Sequence, residues 1–187
     1  MSALNEFLET SYTAYHAVKN TADYLIANGF SLLSEGEDWN VEEGGKYFVT
    51  RGGSSLIAFS VGALDNGLAF RIAASHADSP ALKLKDNAVF ATGAYEKLNA
   101  ECYGGGIWYS FFDRPLKIAG RIVESEKGVL RSRVVESDYF VTIPSVAVHQ
   151  NRGVNEGFAV NAQTDLCPLY SLARQGGDLV SSFSSAP

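Results

Sequence analysis

The hydrophobic period of the chain changes at Gly44-Gly45, and that change limits the fold more than any other feature. Before it the spacing is helical. Ala3 to Leu8 and Ala14 to Ala27 carry apolar residues at three- and four-residue intervals, with Tyr15, Val18, Ala22, Leu25 and Ile26 on one face of the second stretch. Thr13 suits an N-cap and Gly29 a C-terminal stop. After the change, Lys46 to Arg51 and Ser55 to Val61 have the β-branched and aromatic content of strands, and Gly52-Gly53 between them signals a hairpin. Leu68 to Ala74 is expected to be a third strand, in an interior position because its run is nearly all apolar. Two helices followed by three strands predict an α/β layered arrangement.

From about Leu82 the texture is β-rich. Leu116 to Val123, Val129 to Val135, Tyr139 to Ile143 and Ser145 to His149 form short strand-like runs, and no helical period interrupts them. The small, polar tail from Gly176 to Pro187 is expected to be poorly ordered.

A length of 187 residues suits one sizeable domain or a domain and a half, and 46% hydrophobic with 19% charged residues is the balance of a folded protein. A net charge of −6, with no compensating stripe of Lys and Arg, argues against a nucleic-acid partner. Met1 to Glu9 carries two acids and no base, the wrong charge for a signal or transit peptide, and the apolar runs fall well short of the ~20 residues that span a bilayer. Two cysteines, Cys102 and Cys167, suit a reducing compartment. The expectation is a soluble cytoplasmic protein without a membrane partner.

The stretch richest in chemistry is Ala73-Ala-Ser-His-Ala-Asp-Ser-Pro80. Strand ends in open α/β sheets present functional groups, because the loops there are exposed yet anchored. His76 could offer one ring nitrogen to a metal while Asp78 holds the other, fixing its tautomer. A structural surface loop is the competing reading of the same residues.

Ser75-His-Ala-Asp-Ser-Pro80 with Ala81-Leu-Lys-Leu-Lys85 resembles the block S-H-x-D-S-P-x-L-x-x-K of the aspartyl aminopeptidase (M18) family. Further blocks are similar to that family in order and spacing, from about Phe7 to about Leu169. They are Gly44 to Arg51 with Ser54 to Ala58, Glu101 to Gly105, Phe112 to Leu116, Ala119 to Arg121, Ile143 to His149 with Asn151-Arg152, Asn155 to Gly157, and Asn161 to Gln163. The resemblance implies a cytosolic, homo-oligomeric exopeptidase built on dimers, which removes N-terminal Asp or Glu from peptides with two zinc ions. By the same resemblance His76 is a zinc ligand, Asp78 is the catalytic-site carboxylate that orients it, and His149 reaches the substrate in a neighbouring subunit. Zinc would polarise the scissile carbonyl and acidify its bound water, with a carboxylate as general base.

The family pattern also calls for a bridging aspartate, a Glu-Glu pair, another aspartate and a late histidine downstream. Here the histidines are His16, His76 and His149, and the Glu-Glu pair, Glu42-Glu43, precedes the His-x-Asp segment. The chain therefore reads as lacking the downstream ligands.

Other candidates have plainer explanations. His16 is expected to be a packing residue of its helix. Gly104-Gly-Gly106 lacks the ending of a phosphate loop, and close backbone packing or a turn suits it better. Trp108, Tyr109, Phe111 and Phe112 suit a core or subunit interface better than a binding face. Lys83 and Lys85 could attract an acidic substrate or simply face solvent, and neither cysteine has a histidine placed to make it a nucleophile. The expected architecture is α/β, with the front part of a mixed-sheet metallopeptidase domain at 1–82 and a β-rich, dimerisation-type insertion at 83–187. Two functions follow: a zinc aminopeptidase, or a catalytically incomplete assembly module.

Overall fold

The computed structural model describes residues 2–63, 67 and 69–172. Tertiary contacts divide the chain into two units, one of residues 1–79 with 120–134 and one of residues 80–119 with 135–187.

The first unit opens with α1 (Ala3–Thr10) and α2 (Ala14–Ala27). Ser2 caps α1 by accepting from the Asn5 amide. The Thr13 hydroxyl accepts from the His16 amide at the start of α2, satisfying one of the donors that a helix N-terminus leaves open. Gly29, with φ 79°, ends α2, and the Phe30 amide turns back to the Leu25 carbonyl. Strands β1 (Ser31–Leu32), β2 (Lys46–Arg51) and β3 (Ser55–Ser60) form a sheet in that order, β1 parallel and β3 antiparallel to β2. The central strand carries the buried residues Phe48 and Val49, and α2 packs against the sheet with Val18 and Leu25 buried. Both glycines of the Gly52-Gly53-Ser54 turn have positive φ, a conformation that side chains with a Cβ resist.

The expected third strand does not form: residues 69–74 pair with no strand, and Phe70 and Ile72 are 79% and 86% exposed. An interior strand needs a hydrogen-bonding neighbour on each side. Among the described residues this sheet ends at β3, so the apolar run has no partner.

In the second unit, β4 (Ala81–Thr92), β5 (Tyr95–Tyr103) and β8 (Leu169–Leu172) form an antiparallel sheet in that order. The β4–β5 pairing shifts register between Leu84 and Val89. Strands β6 (Leu116–Glu126) and β7 (Val129–Val141), whose residues 120–134 group with the first unit, form a separate two-stranded sheet. Lys127 and Gly128 both take positive φ between them, as a tight hairpin turn demands. The two expected runs at 129–135 and 139–143 are thus mostly one continuous strand, whose alternation persists through Val135, Ser137 and Val141. Leu98, Ile118 and Val141 make the core of this unit, against Leu84, Val89, Leu116, Tyr139 and Tyr170. Ser137 is buried with both roles of its hydroxyl satisfied, accepting from the Ile118 amide and donating to the Tyr139 carbonyl.

Ser145 to His149 is not a strand. Pro144 precedes it, and the Gln150 and Asn151 amides both turn back to the Ala147 carbonyl. The tail from Gly176 lies outside the described residues. Among the described residues no helix is long and apolar enough to cross a membrane.

Candidate functional site

His76 and Asp78 are brought together near the end of the exposed run 69–77. His76 Nδ1 lies 2.7 Å from the main-chain carbonyl of Asp78 and 3.2 Å from its carboxylate Oδ1. A carbonyl oxygen only accepts, so in the neutral ring Nδ1 carries the proton and Nε2 keeps its lone pair. The histidine side chain is 80% exposed, which leaves that lone pair accessible. A single residue, Asp78, supplies both oxygens beside Nδ1. The shorter contact is made by the Asp78 backbone, not by the carboxylate that the spacing suggested.

One ligand is not a site. Among the described residues no group of three or more His, Cys, Asp or Glu side chains could hold a metal ion. The donor chemistry of His76 fits zinc as one of several ligands, and the described residues do not complete the set.

His149 lies exposed in the turn after Pro144, in the second unit. Two contacts upstream hold the segment that carries it. The Asp113 amide donates to the Ile143 carbonyl at 2.9 Å, and the Asp113 carboxylate accepts from both the amide (2.9 Å) and the hydroxyl (2.5 Å) of Ser145. Those two bonds hold the Asp113 carboxyl below the ordinary aspartate range, the hydroxyl contributing more than the amide. Sequence reasoning missed this pair. Asp113 and Ser145 are 32 residues apart, and neither is flagged by local spacing.

The remaining candidates take plain roles. His16 Nδ1 pairs with the Thr13 hydroxyl at 2.8 Å and its ring meets Tyr12 edge-on, as a packing residue does. A Cβ on Gly106 would meet the Trp108 ring at 3.1 Å and Pro80 at 3.2 Å, so the glycine run is a place of close packing. Trp108 and Phe111 sit in a short 3-10 helix with their rings in contact, and Phe112 meets Phe158 edge-on. Lys83 faces Glu101 across the β4–β5 pair, 3.8 Å away with both side chains largely exposed. Cys102 and Cys167 are free thiols.

The family model for aminopeptidase I zinc metalloproteases (M18) matches residues 7–182. The chain belongs to the M18 family. Aspartyl aminopeptidase 1 of Schizosaccharomyces pombe is 42% identical to this M18 chain over 175 residues, 91% of the chain and 37% of the relative. A chain in the cryo-EM structure of the Ape4 and Nbr1 complex superposes with a TM-score of 0.86 at 40% identity, covering 91% of this chain and 33% of that one. The S. cerevisiae mApe1 dodecamer matches with a TM-score of 0.65 at 26% identity, over 89% of this chain and 46% of its own. The M18 chain thus spans less than half the length of each of these proteins.

Proposed function

We propose that the protein to which these residues belong is a zinc aminopeptidase that removes N-terminal Asp or Glu from peptides. The observation that carries this reading is the tie between His76 Nδ1 and Asp78, which leaves Nε2 available as a ligand, in a chain 42% identical to an aspartyl aminopeptidase. A zinc ion, when bound, would polarise the scissile carbonyl and lower the pKa of a water molecule. This chain's own part is narrower. His76 would supply one ligand, Asp78 would hold its ring in the metal-binding tautomer, and His149 would contact the substrate.

The relatives are more than twice as long as the stretch they share with this chain. The reading places the remaining ligands of a two-zinc site in that further length. It also places a division of the protein near residue 82, with a peptidase front before it and a β-rich, dimerisation-type insertion after it. The change of contact grouping at residues 79 and 80 supports a boundary there, while the grouping of residues 120–134 with the first unit does not follow that division. The exposed run 69–74 then becomes an interior strand once its neighbours are present. A homo-oligomer built on dimers, working in the cytoplasm, completes the reading, and the likeness to a dodecameric aminopeptidase supports the assembly.

The test is His76→Ala in the full-length protein, with zinc content measured alongside hydrolysis of Asp- and Glu-anilides. Loss of both zinc and hydrolysis is expected. A fully active His76→Ala protein with normal zinc content would remove His76 from the site.

A further inference from the structure

We infer that Asp113 is a positioning residue for His149, acting through a clasp on Ser145 that fixes where the histidine-bearing turn begins. The inference rests on the reading of His149 as a substrate contact, and everything it uses lies within the second unit.

Asp113 is a left-handed residue, with φ 55°, a conformation that aspartate tolerates better than most residues with a Cβ. Only a few per cent of non-glycine residues adopt it, and the cost is borne where surrounding contacts demand the geometry. Here the demand is visible. The left-handed turn lets one residue face the segment 143–145 with both its backbone and its side chain. Its amide takes the Ile143 carbonyl, while its two carboxylate oxygens take the Ser145 amide and hydroxyl. The residue between, Pro144, has a ring-locked φ and no amide of its own to satisfy. Three hydrogen bonds from one aspartate therefore bracket a stiff residue.

The approach to the clasp is equally anchored. Ile143 is 2% exposed and bridges Phe112, and the Leu169 amide donates to the Thr142 carbonyl from the other side. Beyond Ser145 such anchors cease. Residues 146–150 are exposed, and among the described residues their hydrogen bonds are the local ones that return to Ala147. Among the described residues Ser145 is thus the last one tethered to a distant segment before His149, four positions on. An exposed carboxylate is ordinarily well solvated, so spending both oxygens on one residue serves geometry more than stability. Its neighbour Arg114 donates to the Ser110 carbonyl. A shift in the exit direction at Ser145 would be carried to the imidazole, and displacements of about 1 Å in a substrate-contacting group are costly, up to ~100-fold.

The experiment is a double-mutant cycle in the full-length enzyme, using Asp113→Asn, His149→Ala and their combination, with kcat and KM measured on Asp- and Glu-anilides. Asp113→Asn preserves size and keeps one acceptor, but replaces the other with an amide that cannot accept. Expected is a KM raised about tenfold with kcat and thermal midpoint nearly unchanged, and no further loss when Asp113→Asn is added to His149→Ala. Ser145→Ala, which removes only the hydroxyl arm, should show the same pattern at smaller size, and it decides the matter if Asp113→Asn does not fold. Restoration in Asp113→Glu is not expected, because the longer chain cannot place both oxygens on Ser145. If His149→Ala leaves KM and kcat intact, the reading of His149 fails and Asp113 has nothing to position. If His149→Ala is impaired but Asp113→Asn and Ser145→Ala are silent, or add their full effect on top of it, the positioning role alone is overturned.

Discussion

The guanidinium of Arg121 stands 4.5 Å over the centroid of the Tyr15 ring, and its Nη1 donates to the Gly52 carbonyl at 2.7 Å. One side chain of β6 thereby touches both α2 and the β2–β3 turn, all within the first unit. The planar guanidinium can stack and donate at once, which an ammonium does less well. Arg121→Ala should lower stability by about 1–2 kcal/mol, the sum of an exposed cation–π contact and one hydrogen bond. Arg121→Lys should recover less than half of that. Urea unfolding checks both, with a shifted midpoint and an unchanged slope expected.

Phe70 and Ile72 provide a sharper test of how the protein is completed. Side chains 79% and 86% exposed have little to lose on truncation, whereas buried ones leave cavities. If 69–74 is an interior strand of the full-length protein, Ile72→Ala should cost about 2–5 kcal/mol there. A change within ~0.5 kcal/mol, the usual size at a surface position, would show that the segment stays in solvent.

The Asp113 clasp has a definite pH sign. Its carboxyl is held below the ordinary range by Ser145, so the ionised form is favoured in the folded protein. The contribution of such an exposed group is small; it is fully present above the unfolded value, about 3.9, and is lost as pH falls through the lower folded value. Amide hydrogen exchange at Ser145 should therefore be unchanged from neutral pH down to about pH 5, after allowance for intrinsic rates, and lose protection only in stronger acid. Asp113→Asn should show the weakened protection already at neutral pH.

Leu98 is 1% exposed at the centre of β5 and packs with Ile118 and Val141. Leu98→Ala should destabilise the protein by about 3 kcal/mol, through lost burial and an unfilled cavity. Leu98→Met, close to it in volume, should cost less than about 1.5 kcal/mol. Thermal or denaturant unfolding separates the two.

The parts of the fold legible in the residues are those whose causes are local. The period of α2, the Thr13 cap, the Gly29 stop and the glycine turn after Arg51 all act within a few positions, and each stands where expected. Strand β5 was legible too: Leu98, Ala100 and Cys102 alternate with Lys97, Asn99 and Glu101, although the reading of the β-rich region did not single it out. Ser145 to His149 misleads because an apolar, β-branched run resembles a strand whether or not another strand is there to pair with it.

What the sequence determined by itself is the local frame and the candidate residues: helices, the first hairpin, and a histidine two residues before an aspartate. Only tertiary structure decided the rest. It set the Asp78 carbonyl beside His76 Nδ1, left 69–74 without a strand partner among the described residues, and joined Asp113 to Ser145 across 32 residues. The physical reason is range. Periodicity and capping are written in adjacent residues, whereas strand pairing and side-chain clasps depend on which distant backbone arrives alongside, and no local pattern records that.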